Sequence, residues 1–116
     1  MNAQQTPLTH ALGLCARARG LITGVPMICQ AMQTPKSRPR LVLVASDVSD
    51  NTKKKLADKC AYYNVPSLTL PMTTEALAHA VGKSASLGAV GLTDENFCRL
   101  IRSAAQKTNG DTPAAQ

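Results

Sequence analysis

The sequence predicts an α/β fold, a three-layer α/β/α sandwich in which helices cover both faces of a small mixed four-stranded sheet. Three observations carry this. Short aliphatic segments alternate with longer ones whose apolar residues recur every three or four positions, so strands and helices alternate along the chain. The segment Leu41 to Ala45 is aliphatic at every position, the pattern of a strand covered on both faces. A chain of 116 residues is long enough for one domain with one modest core, and a second folded domain is not expected.

The elements follow in order. Thr6 and Pro7 suit an N-cap and first helical position, and Leu8, Ala11, Leu12 and Cys15 mark the buried face of a helix running to about Ala18. Leu21 and Ile22 form a short strand ending at Gly24. Val25, Ile28, Cys29 and Met32 then share one helical face, with Pro26 tolerated because it falls in the first turn. Thr34 to Pro39 is a loop, and Leu41 to Ala45 is the strand at the centre of the sheet. Ser49 or Asp50 caps a helix through Tyr63, with Leu56, Cys60 and Tyr63 inward and Asn64 to Pro66 ending it. Ser67 to Leu70 is the third strand. Thr73 or Thr74 opens a fourth helix with Leu77, Ala80 and Val81 on one side, and Gly82 takes the left-handed position beyond its end. After a polar loop from Lys83 to Gly88 comes the last strand, Ala89 to Leu92. Thr93, Asp94 and Glu95 start the final helix, whose expected buried stripe is Phe97, Leu100, Ile101 and Ala104. The domain is expected to span 1–105, with 106–116 a polar, disordered tail.

Thirteen Lys and Arg against seven Asp and Glu give a net charge of +6, a bias that attracts polyanions and can supply salt-dependent affinity for nucleic acid. Only Phe97, Tyr62 and Tyr63 are aromatic, too few for a reader that stacks successive unpaired bases. No apolar run spans a bilayer and no basic amphipathic helix carries bulky apolar anchors, so no membrane partner is expected. The polar start, Met1 to Thr6, lacks the features of a secretory signal, which points to the cytoplasm. Cys15, Cys29, Cys60 and Cys98 lack zinc-knuckle spacing and read as reduced, packed thiols.

Nothing in the sequence assembles a catalytic site. Gly82-Lys83-Ser84 has no upstream glycine for a phosphate loop, His79 reads as a surface residue, and no nucleophile, base and orienting acid fall together. An enzyme, a cofactor and a small-molecule substrate are therefore not expected. The cations are the informative residues. Lys53, Lys54 and Lys55 open the third helix, where cations oppose the helix dipole, a cost that an external anion would relieve. Arg17 and Arg19 flank the turn into the first strand, and Lys36, Arg38 and Arg40 crowd the next loop.

Leu12 to Gly24, Leu41 to Pro66 and Leu77 to Leu92, in this order and spacing, resemble the L7Ae family of ribosomal proteins, particularly a bacterial branch of it. The most specific stretch runs from Ala45-Ser46-Asp47 through Asn51-Thr52-Lys53-Lys54-Lys55, then Asp58-Lys59-Cys60 and Tyr62 to Pro66, and Leu77 to Lys83 adds a second. The resemblance covers about Leu8 to Ser103. It implies binding of kink-turn RNA, a helix sharply bent at an internal loop beside tandem G·A pairs. In that family the loop and helix start after the first strand commonly read Gly-Ala-Asn-Glu with a Lys three residues on. The matching residues here are Gly24, Val25, Pro26, Met27 and Gln30, so the glycine is kept and the polar and basic residues are not. A second contact of the family, the loop before the last strand, falls on Ala85, Ser86 and Leu87 beside Lys83, with Leu87 as a wedge against extruded nucleotides. The family's Gly-Lys pair after the first helix appears as Arg19-Gly20, and Asp47 matches an acid that places a loop.

The expected function is binding of structured, kink-turn RNA, ribosomal or another non-coding RNA, with the ribosome as a further partner and Arg17, Arg19 and Lys53 to Lys55 in support. The alternative is a protein-interaction module that keeps the fold and has lost specific RNA reading at Pro26 and Met27.

Overall fold

In the computed structural model, which describes residues 7–109, nine elements alternate as expected: α1 (Pro7–Arg17), β1 (Leu21–Thr23), α2 (Val25–Met32), β2 (Leu41–Val44), α3 (Asp50–Tyr63), β3 (Ser67–Thr69), α4 (Thr74–Ala80), β4 (Ala89–Leu92) and α5 (Glu95–Asn109). The strands form one sheet in the order β1-β4-β2-β3. β2 pairs with β3 in parallel, and β4 runs antiparallel to both β1 and β2, so the sheet is mixed. β2 shares its interior with β4, and the register sets Leu43 opposite Leu68 on one side and Val90 on the other.

The period-two alternation of a strand divides the core. Leu41, Leu43 and Ala45 enter a cluster with Leu8, Leu12 and Cys15 of α1, Leu77 of α4 and Ile101 of α5. Val42 and Val44 point the other way, to Ile28 and Met32 of α2 and Leu56 and Cys60 of α3. The all-aliphatic run thus reflects burial of β2 on both faces.

Local chemistry sets the boundaries. Ser49 is the N-cap of α3, accepting from the Thr52 amide at 3.2 Å, and Asn64 closes the helix in the left-handed conformation. Thr73 caps α4 through the Ala76 amide at 3.1 Å. Asp94 starts α5, its carboxylate accepting from the Asn96 amide at 2.7 Å. Thr6 lies outside the described residues.

Two expectations are corrected in α5. Leu100 is 38% exposed, and the buried stripe is Cys98, Ile101, Ala104 and Ala105. The buried face centres on Ile101: Cys98, Ala104 and Ala105 point within about 60° of it, whereas Leu100 points about 100° away. The helix also continues past Ala105 to Asn109. Gln106 and Lys107 are good helix formers, so polarity there does not mark an end. Residues 110–116 of the expected tail lie outside the described residues.

Candidate nucleic-acid interface

β1, β2 and β3 run in one direction and β4 in the other. The ends of the first three and the start of β4 therefore share one edge of the sheet, and α2, α3 and α4 all begin there. This places the positive ends of several helix dipoles, and amides without intrahelical acceptors, along one rim.

Gly24 is the pivot of that rim. Its backbone sits at φ 95°, ψ 142°, a region used almost only by glycine, which turns the chain from β1 into α2. The Gly24 amide donates to the Ala89 carbonyl at 3.0 Å and its carbonyl accepts from Ile28 at 3.0 Å. No side chain caps α2, and Pro26 occupies its first turn. Pro26, Met27 and Gln30 are exposed, Met27 to 56%, while Val25 is half-buried.

The second loop is held against the first. A Cβ at Gly88 would stand 3.1 Å from Val48 Cγ1 and 3.6 Å from Val25 Cγ2, so the start of α2, the approach to α3 and the loop before β4 meet at this glycine. Val48 was not among the residues singled out from the sequence; its only signal was an aliphatic residue directly before the capping Ser49. Lys83, Ser84, Ala85 and Ser86 are exposed. Leu87 corrects the expectation of a wedge: it is 7% exposed and packs in the core, while its amide donates to the Thr74 carbonyl at 3.1 Å. It anchors the loop and leaves Ala85 and Ser86 at the tip.

Asp47 acts through backbone, accepting from the Thr74 amide at 2.7 Å. Beside it Ser46 makes two bonds to the Met72 carbonyl, from its amide at 2.8 Å and its hydroxyl at 3.0 Å. The loop between β2 and α3 is thereby fastened to the one between β3 and α4.

The cations divide between two edges. Lys53, Lys54 and Lys55 are exposed, but α3 begins at Asp50, so they sit beyond its acidic first turn. The dipole cost read from the sequence is thus small. Successive helical residues point about 100° apart, so the three fan around the exposed side rather than sharing one face.

Arg17 and Arg19 lie at the other edge, ahead of β1. Arg17 instead lines a cleft with His10, Gly13, Leu14 and His79 between α1 and α4. Arg19 has a positive φ of 59° and Gly20 does not follow the same conformation. A Cβ at Gly20 would overlap the Phe97 ring, so any larger residue there would have to displace that side chain.

All four cysteines are free; Cys15, Cys60 and Cys98 are buried and Cys29 half-buried. Burial, with the nearby Cys98 and Asp94 adding to it, pushes the Cys15 thiol from an ordinary 9.0 up to about 11, and burial raises Cys60 and Cys98 too. Cys15, Cys60 and Cys98 are therefore packed thiols of low reactivity. Among the described residues no group of His, Cys, Asp and Glu could hold a metal ion, and no helix is long and apolar enough to cross a membrane.

A four-stranded α/β/α sandwich with two linked loops at the helix-starting edge defines a recognisable class, and the chain belongs to it: the ribosomal protein L7Ae/L30e/S12e/Gadd45 family, whose model matches residues 7–101. Within that family it is similar to the YlxQ branch. It is 36% identical to RNA-binding protein YlxQ of Bacillus subtilis over 90 residues, 78% of this chain and 86% of that protein. The YlxQ protein of Enterococcus faecium is 36% identical over 93 residues, 80% of this chain and 85% of its own length. Among solved structures, a protein of unknown function from Bacillus halodurans superposes with a TM-score of 0.76 at 34% identity, covering 85% of this chain and 96% of that one. The Giardia lamblia 15.5kD RNA binding protein shares the fold, with a TM-score of 0.68 at 16% identity over 92% of this chain and 88% of its own.

Proposed function

We propose that this chain binds structured RNA of the kink-turn type through the edge where α2, α3 and α4 begin. One observation carries the reading: in a chain whose relatives bear the name RNA-binding protein, the Gly24 turn and the Ala85 to Gly88 loop are joined through Gly24, Ala89, Val25 and Gly88. Two loop tips held in fixed relation suit a bent backbone better than a straight one.

The contacts follow from what is exposed. First-turn amides of α2 offer hydrogen bonds to phosphate or base edges, and Gln30 adds a polar side chain one turn on. Pro26 and Met27 present apolar surface where the family commonly has Asn and Glu, so base reading here leans on shape and backbone. Ala85 and Ser86 bring small side chains to the RNA, Lys83 adds charge behind them, and those members of Lys53 to Lys55 that face the rim neutralise phosphates. Arg17 and Arg19, at the other edge, would meet only RNA that extends past the rim. Binding the bent form selects it from the conformers the RNA samples.

The RNA is ribosomal or another non-coding RNA, bound in the cytoplasm, with the ribosome as a candidate assembly. The alternative of a protein-interaction module is not favoured, since both curated relatives are named for RNA. A gel-shift comparison at low salt between an intact kink-turn and one with its G·A pairs disrupted tests the reading. Preference for the intact form by tenfold or more is expected, on the order of one to two base-pair mismatches; equal binding overturns it.

A further inference from the structure

At the edge opposite the Gly24 turn, a groove runs between the loop ahead of β2 and the end of α3. Lys36, Arg38 and Arg40 line it, facing Asn64, Pro66 and the start of α5. Arg38 is prearranged: its Nε donates to the Met32 carbonyl at 2.8 Å and its guanidinium lies 4.8 Å over the Tyr63 ring. Tyr62 meets Tyr63 edge to face at 4.8 Å and is itself 80% exposed. Tyr63 thus lies under Arg38 of the cationic loop, and Tyr62 adjoins it at the end of α3, two residues before Asn64, which lines the groove.

We propose that this groove is a second RNA site, which takes an unpaired stretch of a strand by stacking one base on Tyr62 and seating its phosphates on Lys36 and Arg40. An exposed aromatic ring beside arginine and lysine is the chemistry that holds single-stranded nucleic acid, since every base has a π-face and every linkage a negative charge. One tyrosine serves one base, so the site holds a short segment and reads little sequence. Arg40 is paired with Glu95 at 3.8 Å, but both side chains are more than half exposed, so the pair is weak and a phosphate can replace the carboxylate. With its rim site at the other edge, the protein would grip a bend and a nearby unpaired strand together. The choice of RNA over DNA rests on the function proposed above; the groove's geometry does not.

The test is fluorescence anisotropy of a dye-labelled adenine RNA hexamer with the full chain at low salt, repeated with Tyr62→Ser and with Lys36→Glu/Arg40→Gln. Saturable binding is expected, weakened roughly tenfold by Tyr62→Ser, as loss of one stacked base implies, and at least as much by the charge changes. The same variants should bind an intact kink-turn within twofold of the unaltered protein, which separates this site from the rim. Circular dichroism confirms that the variants fold. Absence of saturable binding, or full affinity in Tyr62→Ser, overturns the proposal. So does displacement of the hexamer by a polyglutamate peptide at equal concentration, which would assign the groove to an acidic protein segment.

Discussion

Replacing Gly24 separates backbone strain from electrostatics. Gly24→Ala forces an L-residue to φ 95° and ψ 142°, where a side chain costs on the order of 1–3 kcal/mol. Space is not the problem, because a Cβ would meet only Pro26 Cδ, at 3.9 Å. For a domain of about a hundred residues each kcal/mol lowers Tm by roughly 4–8 °C, so a mid-range cost of about 2 predicts a fall of roughly 8–16 °C. Gly24→Glu bears the same strain and adds a carboxylate at the uncapped start of α2. A charge about 5 Å from a phosphate is repelled by roughly 1 kcal/mol at the permittivity of water and roughly 3 at an effective value near 20. That converts to about 5- to 150-fold weaker RNA binding, beyond anything seen for Gly24→Ala. Thermal unfolding by circular dichroism measures the first effect, and gel shifts run below the lower Tm measure the second. Unchanged Tm in Gly24→Ala would refute the strain argument, and equal RNA affinity in the two variants would move the phosphate away from Gly24.

Leu87→Ala empties a buried site under the loop before β4 and should cost about 2–5 kcal/mol by urea denaturation, as large-to-small core changes do; if Leu87 only anchors the loop, RNA affinity falls with it, whereas a stability change below about 0.5 kcal/mol would mean that the side chain turns outward. Cys15 supplies a pH dependence. Its thiol is raised in the folded chain from 9.0 to about 11, so the fold holds a proton that the unfolded chain releases first. The Cys15 contribution is therefore complete below pH 9 and is lost as pH rises towards 11. Urea midpoints at pH 8 and pH 10.5 should differ less in Cys15→Ala than in the unaltered chain, and an identical pH slope would remove Cys15 as the cause.

Much of the fold was legible because its signals are local. Ser49, Thr73 and Asn64 sit where caps are needed, and the five aliphatic residues from Leu41 announced a strand buried on both faces. Apolar spacing in α1 picked out Leu8, Ala11, Leu12 and Cys15, all of which are buried. The same reasoning failed at Leu100, because Phe97, Leu100, Ile101 and Ala104 also fit a 3.6-residue period and only packing turns the buried face toward Cys98 and Ala105. It also failed at Gln106, where an exposed helix and an irregular tail have similar composition.

The candidate site was partly legible. Gly24, the Lys83 to Leu87 loop and Asp47 came from resemblance, and Asp47 does place a loop, through the Thr74 amide. The inward turn of Leu87 was hidden, since a leucine in a polar loop carries no mark of its direction. Equally hidden was the division of the cations, because Arg17, Arg19 and Lys53 look alike on charge.

By itself the sequence determined the order of strands and helices, their caps, and the excess of positive charge, all of which depend on residues within about one turn of each other. Tertiary structure alone decided which loops became neighbours. Strand direction governs that: residues that follow β1, β2 and β3 meet those preceding β4 at one edge, while residues ahead of β1 and β2 gather at the other. Gly24 is thereby bonded to Ala89, 65 positions along the chain, and Arg19, only five residues before Gly24, belongs to the opposite edge.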